Sequence, residues 1–168
     1  MITTKLITRS EIQQYKQISN SIHNDKLNQI IIESQFEDLM PLLGERLFND
    51  ILNDAASYTD LLDGGTYTYQ TITYTNVGLK AVLANYVYAR YAMFGDVLDN
   101  PFGMTTKLND TSQPISLETK KTFYNANRNT AFNLWLNVEK YLIRTEEPLF
   151  NGCITRPNTF KISKIGWL

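Results

Sequence analysis

The chain has 168 residues and a formal net charge of −1. That is long enough for one domain with a sizeable core, and too neutral for the electrostatic footprint of a protein that grips DNA or an acidic membrane surface. Cys153 is the only cysteine, which excludes an internal disulfide framework and reads as a small hydrophobe in a reducing compartment. The opening MITTKLITRSEIQQYKQ has no apolar core of a signal peptide, and no apolar run reaches the roughly 18 residues a membrane helix needs.

In chain order, Ser10 is the expected N-cap of a first helix. Glu11 stands in its first turn, and Ile12, Tyr15, Ile18 and Ile22 recur at helical spacing. A break is expected near His23-Asn24-Asp25. Leu27, Ile30, Ile31 and Ser34 restart the pattern, and Phe36, Leu39 and Met40 continue it on a shifted face. Pro41 suits the first turn of a further helix. In that helix Leu43, Leu47, Phe48, Ile51 and Leu52 make one apolar stripe, with Glu45, Arg46, Asn49 and Asp50 opposite, and it ends at Asn53-Asp54.

The stretch YTDLLDGGTYTY, residues 58–69, contains a short apolar turn (Tyr58, Leu61, Leu62) and then the pair Gly64-Gly65. The pair fits neither a Walker loop nor a dinucleotide-binding fingerprint, and it precedes a strand pattern rather than a helix. Backbone geometry is the better reading: glycine adopts positive φ, so the pair caps the turn and opens the next element. That element is TYTYQTITYT, whose alternation predicts a small hairpin over about 66–75, or an edge strand.

From about Val77 to Val97 runs the central helix. Its stripe is Leu79, Val82, Leu83, Tyr86, Val87, Arg90, Met93, Phe94 and Val97, and alanines and tyrosines make much of the remainder apolar, so it is buried on most sides. Arg90 is the one charge in that stripe and needs a carboxylate or loop carbonyls as partner. Asn100-Pro101-Phe102-Gly103 stops the helix, and residues 101–115 carry no helical period: a long loop, of the kind that is usually functional. Ser116 caps a last long helix with Phe123, Thr130, Leu134, Val138, Tyr141 and Leu142 inward and Trp135 flanking, ended by Pro148. The tail carries Ile154, Phe160, Ile162, Ile165 and Trp167 without a helix to organise them, and such a tail must be buried on something. The expected fold is mainly α: a small helical bundle around one central helix over 1–148, with a short β-hairpin, a long loop and an extended C-terminal arm over 149–168.

Chemistry is not visible. His23 is the only histidine and no Gly-x-Ser-x-Gly elbow accompanies it. One His and one Cys do not make a zinc site. The carboxylate pairs Asp60/Asp63 and Asp96/Asp99 read as solvated helix ends before they read as cation ligands. Asn109-Asp110-Thr111 spells a glycosylation sequon that has no meaning without secretion. No catalytic residue, cofactor or metal is expected, so a binding or structural protein remains.

Several segments, taken together, resemble a known family. They are Met40-Pro41-Leu42-Leu43-Gly44-Glu45-Arg46-Leu47-Phe48, then Tyr58 to Tyr67 with the glycine pair, then Val77 to Tyr91 with its Tyr88-Ala89-Arg90 signature. Phe102 to Lys107 leads to Ser112-Gln113-Pro114-Ile115-Ser116 and a last helix finishing at Tyr141-Leu142. This order, over roughly residues 25–145, resembles the head–tail connector (adaptor, neck ring) proteins of tailed bacteriophages, and its Tyr- and Asn-rich character is similar to the ring proteins of crAss-like phages. The resemblance implies a non-enzymatic virion protein, assembled in the host cytoplasm into a dodecameric ring beneath the portal protein. That ring joins the capsid to other neck or tail proteins around a channel through which DNA slides without sequence-specific binding.

A ring needs a head-to-tail contact between copies. The loop residues Phe102, Met104, Lys107 and Leu108 and the arm residues Phe160, Ile162, Ile165 and Trp167 are the expected assembly interface, with Gly64, Gly65 and Arg90 structural. The alternating Lys161-Ile162-Ser163-Lys164-Ile165 suits strand addition to a partner's sheet. The rival expectation is a helical adaptor or regulator that binds one partner and forms no ring.

Overall fold

A computed structural model describes residues 4–20, 22–95, 97–100, 103–106 and 115–151. It is mainly helical, and one hydrophobic cluster runs through it. Helix α6 (Leu79–Phe94) is the axis: α1 (Arg9–Tyr15), α2 (Asn24–Ser34), α5 (Thr59–Leu62) and α7 (Leu117–Arg144) all touch it, α7 along most of its length. Leu79, Val82, Leu83, Ala84, Tyr86, Val87 and Ala89 are buried, so α6 is enclosed on most sides. It is shorter than the sequence pattern implies. Gly78 caps it, Phe94 is exposed, and Val97 opens a strand.

The first helix starts two residues before the expected Ser10. Thr8 is the cap: its hydroxyl accepts from the Glu11 N–H, and the Glu11 carboxylate accepts from the Thr8 N–H at 2.7 Å. The capping box outcompetes a single serine because it satisfies two orphan donors at once. The helix also stops at Tyr15. Ile18, buried, and Ile22 belong to the loop behind it, which Arg9 holds by donating to the carbonyls of Ser19 and Ile22 at 3.1 and 2.6 Å.

His23 is exposed and caps α2 without a side-chain bond. The helical run then continues unbroken through a π-turn at Gln35–Leu39 into α3 (Met40–Leu43), so Pro41 lies inside a continuous run rather than opening a separate helix. Proline has no N–H for the α-ladder. The wider turn accommodates it, with the Met40 N–H reaching back to the Gln35 carbonyl. The extra residue also rotates the apolar face from Leu27-Ile30-Ile31-Ser34 to Leu39-Leu43. Gly44, at φ +80, then divides the expected Leu43–Leu52 stripe between α3 and α4 (Glu45–Asn53).

A 3-10 turn (Ala55–Tyr58) and α5 lead into β1 (Gly65–Tyr69) and β2 (Ile72–Asn76), paired antiparallel with Tyr67 opposite Tyr74 and Tyr69 opposite Ile72. Gln70 and Thr71 form the two-residue turn, both at positive φ (47 and 68), the primed geometry that matches strand twist. The sheet has two unlike faces: Tyr67, Tyr69, Ile72 and Tyr74 on one, Thr66, Thr68, Thr73 and Thr75 on the other.

A second antiparallel pair, β3 (Val97–Asn100) with β4 (Gly103–Thr106), replaces part of the expected loop. Asn100 and Gly103, the ends of the expected breaker, are paired with each other in it. Met104 lies in β4, while Phe102, Lys107 and Leu108 lie outside the described residues, as do Phe160, Ile162, Ile165, Trp167, Cys153 and the sequon.

Ser116 caps α7, accepting from the Thr119 N–H at 3.2 Å. Its inward line is Asn127-Ala131-Trp135-Val138-Leu142. Trp135 is therefore core rather than flanking, and Phe123 and Thr130, expected inward, are exposed. Apolar residues stand on three sides of α7, so period alone does not choose among them; the side on which α6 packs does. The helix ends with Glu146 at φ +54 and the Glu147 N–H on the Leu142 carbonyl at 3.1 Å, a Schellman stop just ahead of Pro148. Leu149 and Phe150 pack back on the core, Phe150 edge-on to Trp135 with centroids 6.1 Å apart, so the body of the fold extends past the expected boundary at 148.

Candidate assembly surface

Gly64 and Gly78 meet back to back where the chain enters and leaves the first hairpin. Gly64 sits at φ +80, and a Cβ there would lie 2.5 Å from the Asn76 carbonyl oxygen and 2.8 Å from the Gly78 nitrogen. On Gly78, also at φ +80, it would meet the Leu62 carbonyl oxygen at 2.6 Å and the Gly64 nitrogen at 2.7 Å. Gly65, at φ +154, has nothing within 4 Å of its would-be Cβ. Gly64 is thus required by space and conformation, Gly65 by conformation alone. Gly65→Ala should cost about 1 kcal/mol in a melting experiment.

Asparagines lock the hairpin's base. Asn76 donates to the Asp60 carbonyl at 2.9 Å and accepts from the Gly78 N–H at 3.1 Å. Asn137 of α7 accepts from the Val77 N–H at 2.9 Å and donates to the Thr75 carbonyl at 3.0 Å. The aromatic face lies on the end of α7. The Arg144 guanidinium stands 3.9 Å from the Tyr74 ring centroid and 5.6 Å from that of Tyr69, and donates to the Tyr67 hydroxyl at 3.0 Å. Tyr67 in turn packs edge-on against Tyr141 at 4.9 Å. Cation–π and ring contacts of this kind hold a two-stranded sheet that would be marginal alone.

The π-turn carries the most buried charge. The Asp38 side chain is 2% exposed and lies between two arginines, Arg90 Nε at 2.8 Å and Arg128 Nη1 at 2.5 Å. Arg90 also reaches Glu37 at 2.6 Å, and Arg128 lies over the Tyr86 and Tyr124 rings. Burial opposes charge on Arg90, yet the hydrogen bonds it donates to Asp38 and Glu37 outweigh it and hold the guanidinium above its ordinary range. The cluster ties the α2–α3 run to α6 and α7. It contains no nucleophile or free base, so its visible role is to fix helices. Sequence reading reached Arg90 but not Asp38 or Arg128, because the π-turn that turns Asp38 inward breaks the α-period.

A second ion cluster joins Lys80 to Glu11 and Asp63 at 2.5 and 2.6 Å. Burial pushes the Glu11 carboxyl up, but hydrogen bonds from Lys80 and Thr8 win and hold it below its ordinary 4.5. A depressed carboxyl contributes stability above its unfolded value that is lost as pH falls through the folded value. Wild type should therefore lose stability on acidification below about pH 4.5, and Lys80→Gln should flatten that part of the pH curve, as read by melting temperature. Among the described residues no group of three His, Cys, Asp or Glu stands ready to hold a metal ion, and no helix is long and apolar enough to cross a membrane.

The outward side of α7 is unusual for a solvent face. Phe132, Leu136 and Ile143 are 43%, 38% and 58% exposed, and their spacing sets them in one line along the helix. On the other flank stands Phe123, 48% exposed, in line with the half-buried Tyr141. One helix thus presents apolar side chains on both sides of its buried face.

Residues 39–159 match the profile of a family of unknown function, DUF6712. That is most of the chain, and the protein belongs to this family. Neither the curated proteins nor the solved structures contain a match.

Proposed function

We propose that this protein is a structural virion subunit: a head–tail connector (adaptor) that forms a ring, dodecameric in the family it resembles, beneath the portal of a tailed bacteriophage. It joins the capsid to other neck or tail proteins around the DNA channel. It is assembled in the host cytoplasm, carries no cofactor and performs no reaction. The observation that carries the reading is the pair of apolar flanks on α7, Phe132-Leu136-Ile143 on one and Phe123 on the other. A head-to-tail contact uses two different patches on each copy, whereas an isologous dimer uses one patch twice. The near-neutral net charge suits a lumen past which DNA slides, because each neutralised phosphate adds affinity. The arm beyond Asn151 belongs to the same reading as an assembly element, its apolar residues finding their burial on a neighbour, while Leu149 and Phe150 stay on the core of their own copy.

The double variant Phe132→Asp/Leu136→Asp tests this. Both side chains face outward, so the chain should fold with a melting temperature near wild type and be absent from virions when it is the only copy supplied. Incorporation at the wild-type level would remove the α7 flank from the interface and leave the non-ring adaptor as the better reading.

A further inference from the structure

The first hairpin has one edge blocked at its root and one edge open along its length. In a two-residue hairpin the pair flanking the turn, Tyr69 and Ile72, is hydrogen-bonded, and the pattern alternates from there. The N–H and C=O groups of Thr66 and Thr68 therefore point out of the sheet beside β1, and those of Thr73 and Thr75 beside β2. Asn137 blocks the root of the β2 edge by donating to the Thr75 carbonyl at 3.0 Å, which interrupts the run of outward groups there. Among the described residues no group bonds the outward groups of Thr66 or Thr68, and both residues are exposed. Two donors and two acceptors in register are what an added strand takes.

The chain carries a segment of matching pattern. In Phe160-Lys161-Ile162-Ser163, alternation puts Phe160 and Ile162 on one side and Lys161 and Ser163 on the other, and the pattern ends there, at Lys164-Ile165. Beside β1, the first pair would join the aromatic face of Tyr67 and Tyr69, and the second pair the threonine face of Thr66 and Thr68. Geometry decides whose segment arrives. The described chain ends at Asn151, just after Phe150 packs on Trp135. The hairpin is held at Arg144, nine positions further along α7, about two and a half turns at 3.6 residues per turn. The root of the tail and the open edge are thus on opposite sides of α7, and in a head-to-tail array the exit side of one copy meets the far side of the next. Ten residues from Asn151 to Lys161 reach up to about 33 Å when extended, enough to cross to a neighbour.

We propose that the open β1 edge is the acceptor for residues 160–163 of a second copy, which add to the hairpin as a third strand. This deepens the ring reading and rests on it. The test is a cysteine pair, Thr68→Cys with Ser163→Cys, in a Cys153→Ser background of the full chain, oxidised and run on a non-reducing gel beside a native mass measurement. The expected result is a ladder of covalent multimers extending beyond two copies. A closed monomer of shifted mobility would overturn the second-copy assignment. An intact ring with no cross-link would overturn the strand addition while leaving the ring standing, and a chain that is monomeric throughout would overturn both. Thr68→Pro gives an independent readout: it deletes only an outward N–H, so circular dichroism should stay near wild type while the assembled fraction falls at least tenfold. Unchanged assembly would count against the docking.

Discussion

Gly64→Ala should unfold the protein about 10 °C below wild type, from a loss of roughly 3 kcal/mol at about 2–4 °C per kcal/mol for a domain of this size. Two costs combine. The backbone at φ +80 is one that L residues rarely adopt, which costs about 1 kcal/mol or more. The new methyl also meets backbone atoms of Asn76, Val77 and Gly78 within 2.8 Å, and backbone cannot rotate away as a side chain can; overpacking of this kind costs about 1–3 kcal/mol. Gly65→Ala carries only the first cost. A melting series in which Gly65→Ala is the worse of the two would contradict the back-to-back contact with Gly78.

Arg90→Ala should cost about 2–4 kcal/mol. It leaves the buried Asp38 carboxylate leaning on Arg128, and that Arg128 is itself about a third exposed. Breaking a buried pair is expensive because an uncompensated charge stays behind. Glu37, the other partner of Arg90, has a side chain 63% exposed, so Glu37→Gln should change stability by less than about 1 kcal/mol. The difference between the two variants, read from urea unfolding, separates burial from ion pairing as such. If Arg90→Ala unfolds at the wild-type midpoint, Asp38 does not depend on it.

Much of this fold was legible in residue patterns, and the misses share a cause. The central helix, the hairpin at 66–75, the Ser116 cap and the stop at Asn53-Asp54 each obey a local rule that nothing opposes. Where two rules compete, pattern alone fails. Ser10 yielded to Thr8 because Glu11 completes a box with Thr8 only. Pro41 remained in a continuous helical run because a π-turn absorbs its missing N–H. On α7 the choice among Phe123, Trp135 and Phe132 as the buried residue depends on which side α6 occupies, which is long-range information. The surface was less legible still. Asp38, Arg90 and Arg128 come together across three elements, and Arg144 meets the tyrosines of a hairpin some seventy residues earlier. Gly78 is the exception: a third glycine just after a hairpin that opens on Gly64-Gly65 is a signal for a backbone crossing, and it was there to be found.

The central claim is that copies of this chain assemble head to tail into a closed ring, and native mass spectrometry of the full chain, alone and co-expressed with the portal, tests it most directly. A single closed species of about twelve copies, formed alone or on the portal, is the predicted result, that count being the one implied by the family resemblance. A chain that stays monomeric in both preparations, or that stops at a two-fold dimer, would contradict it.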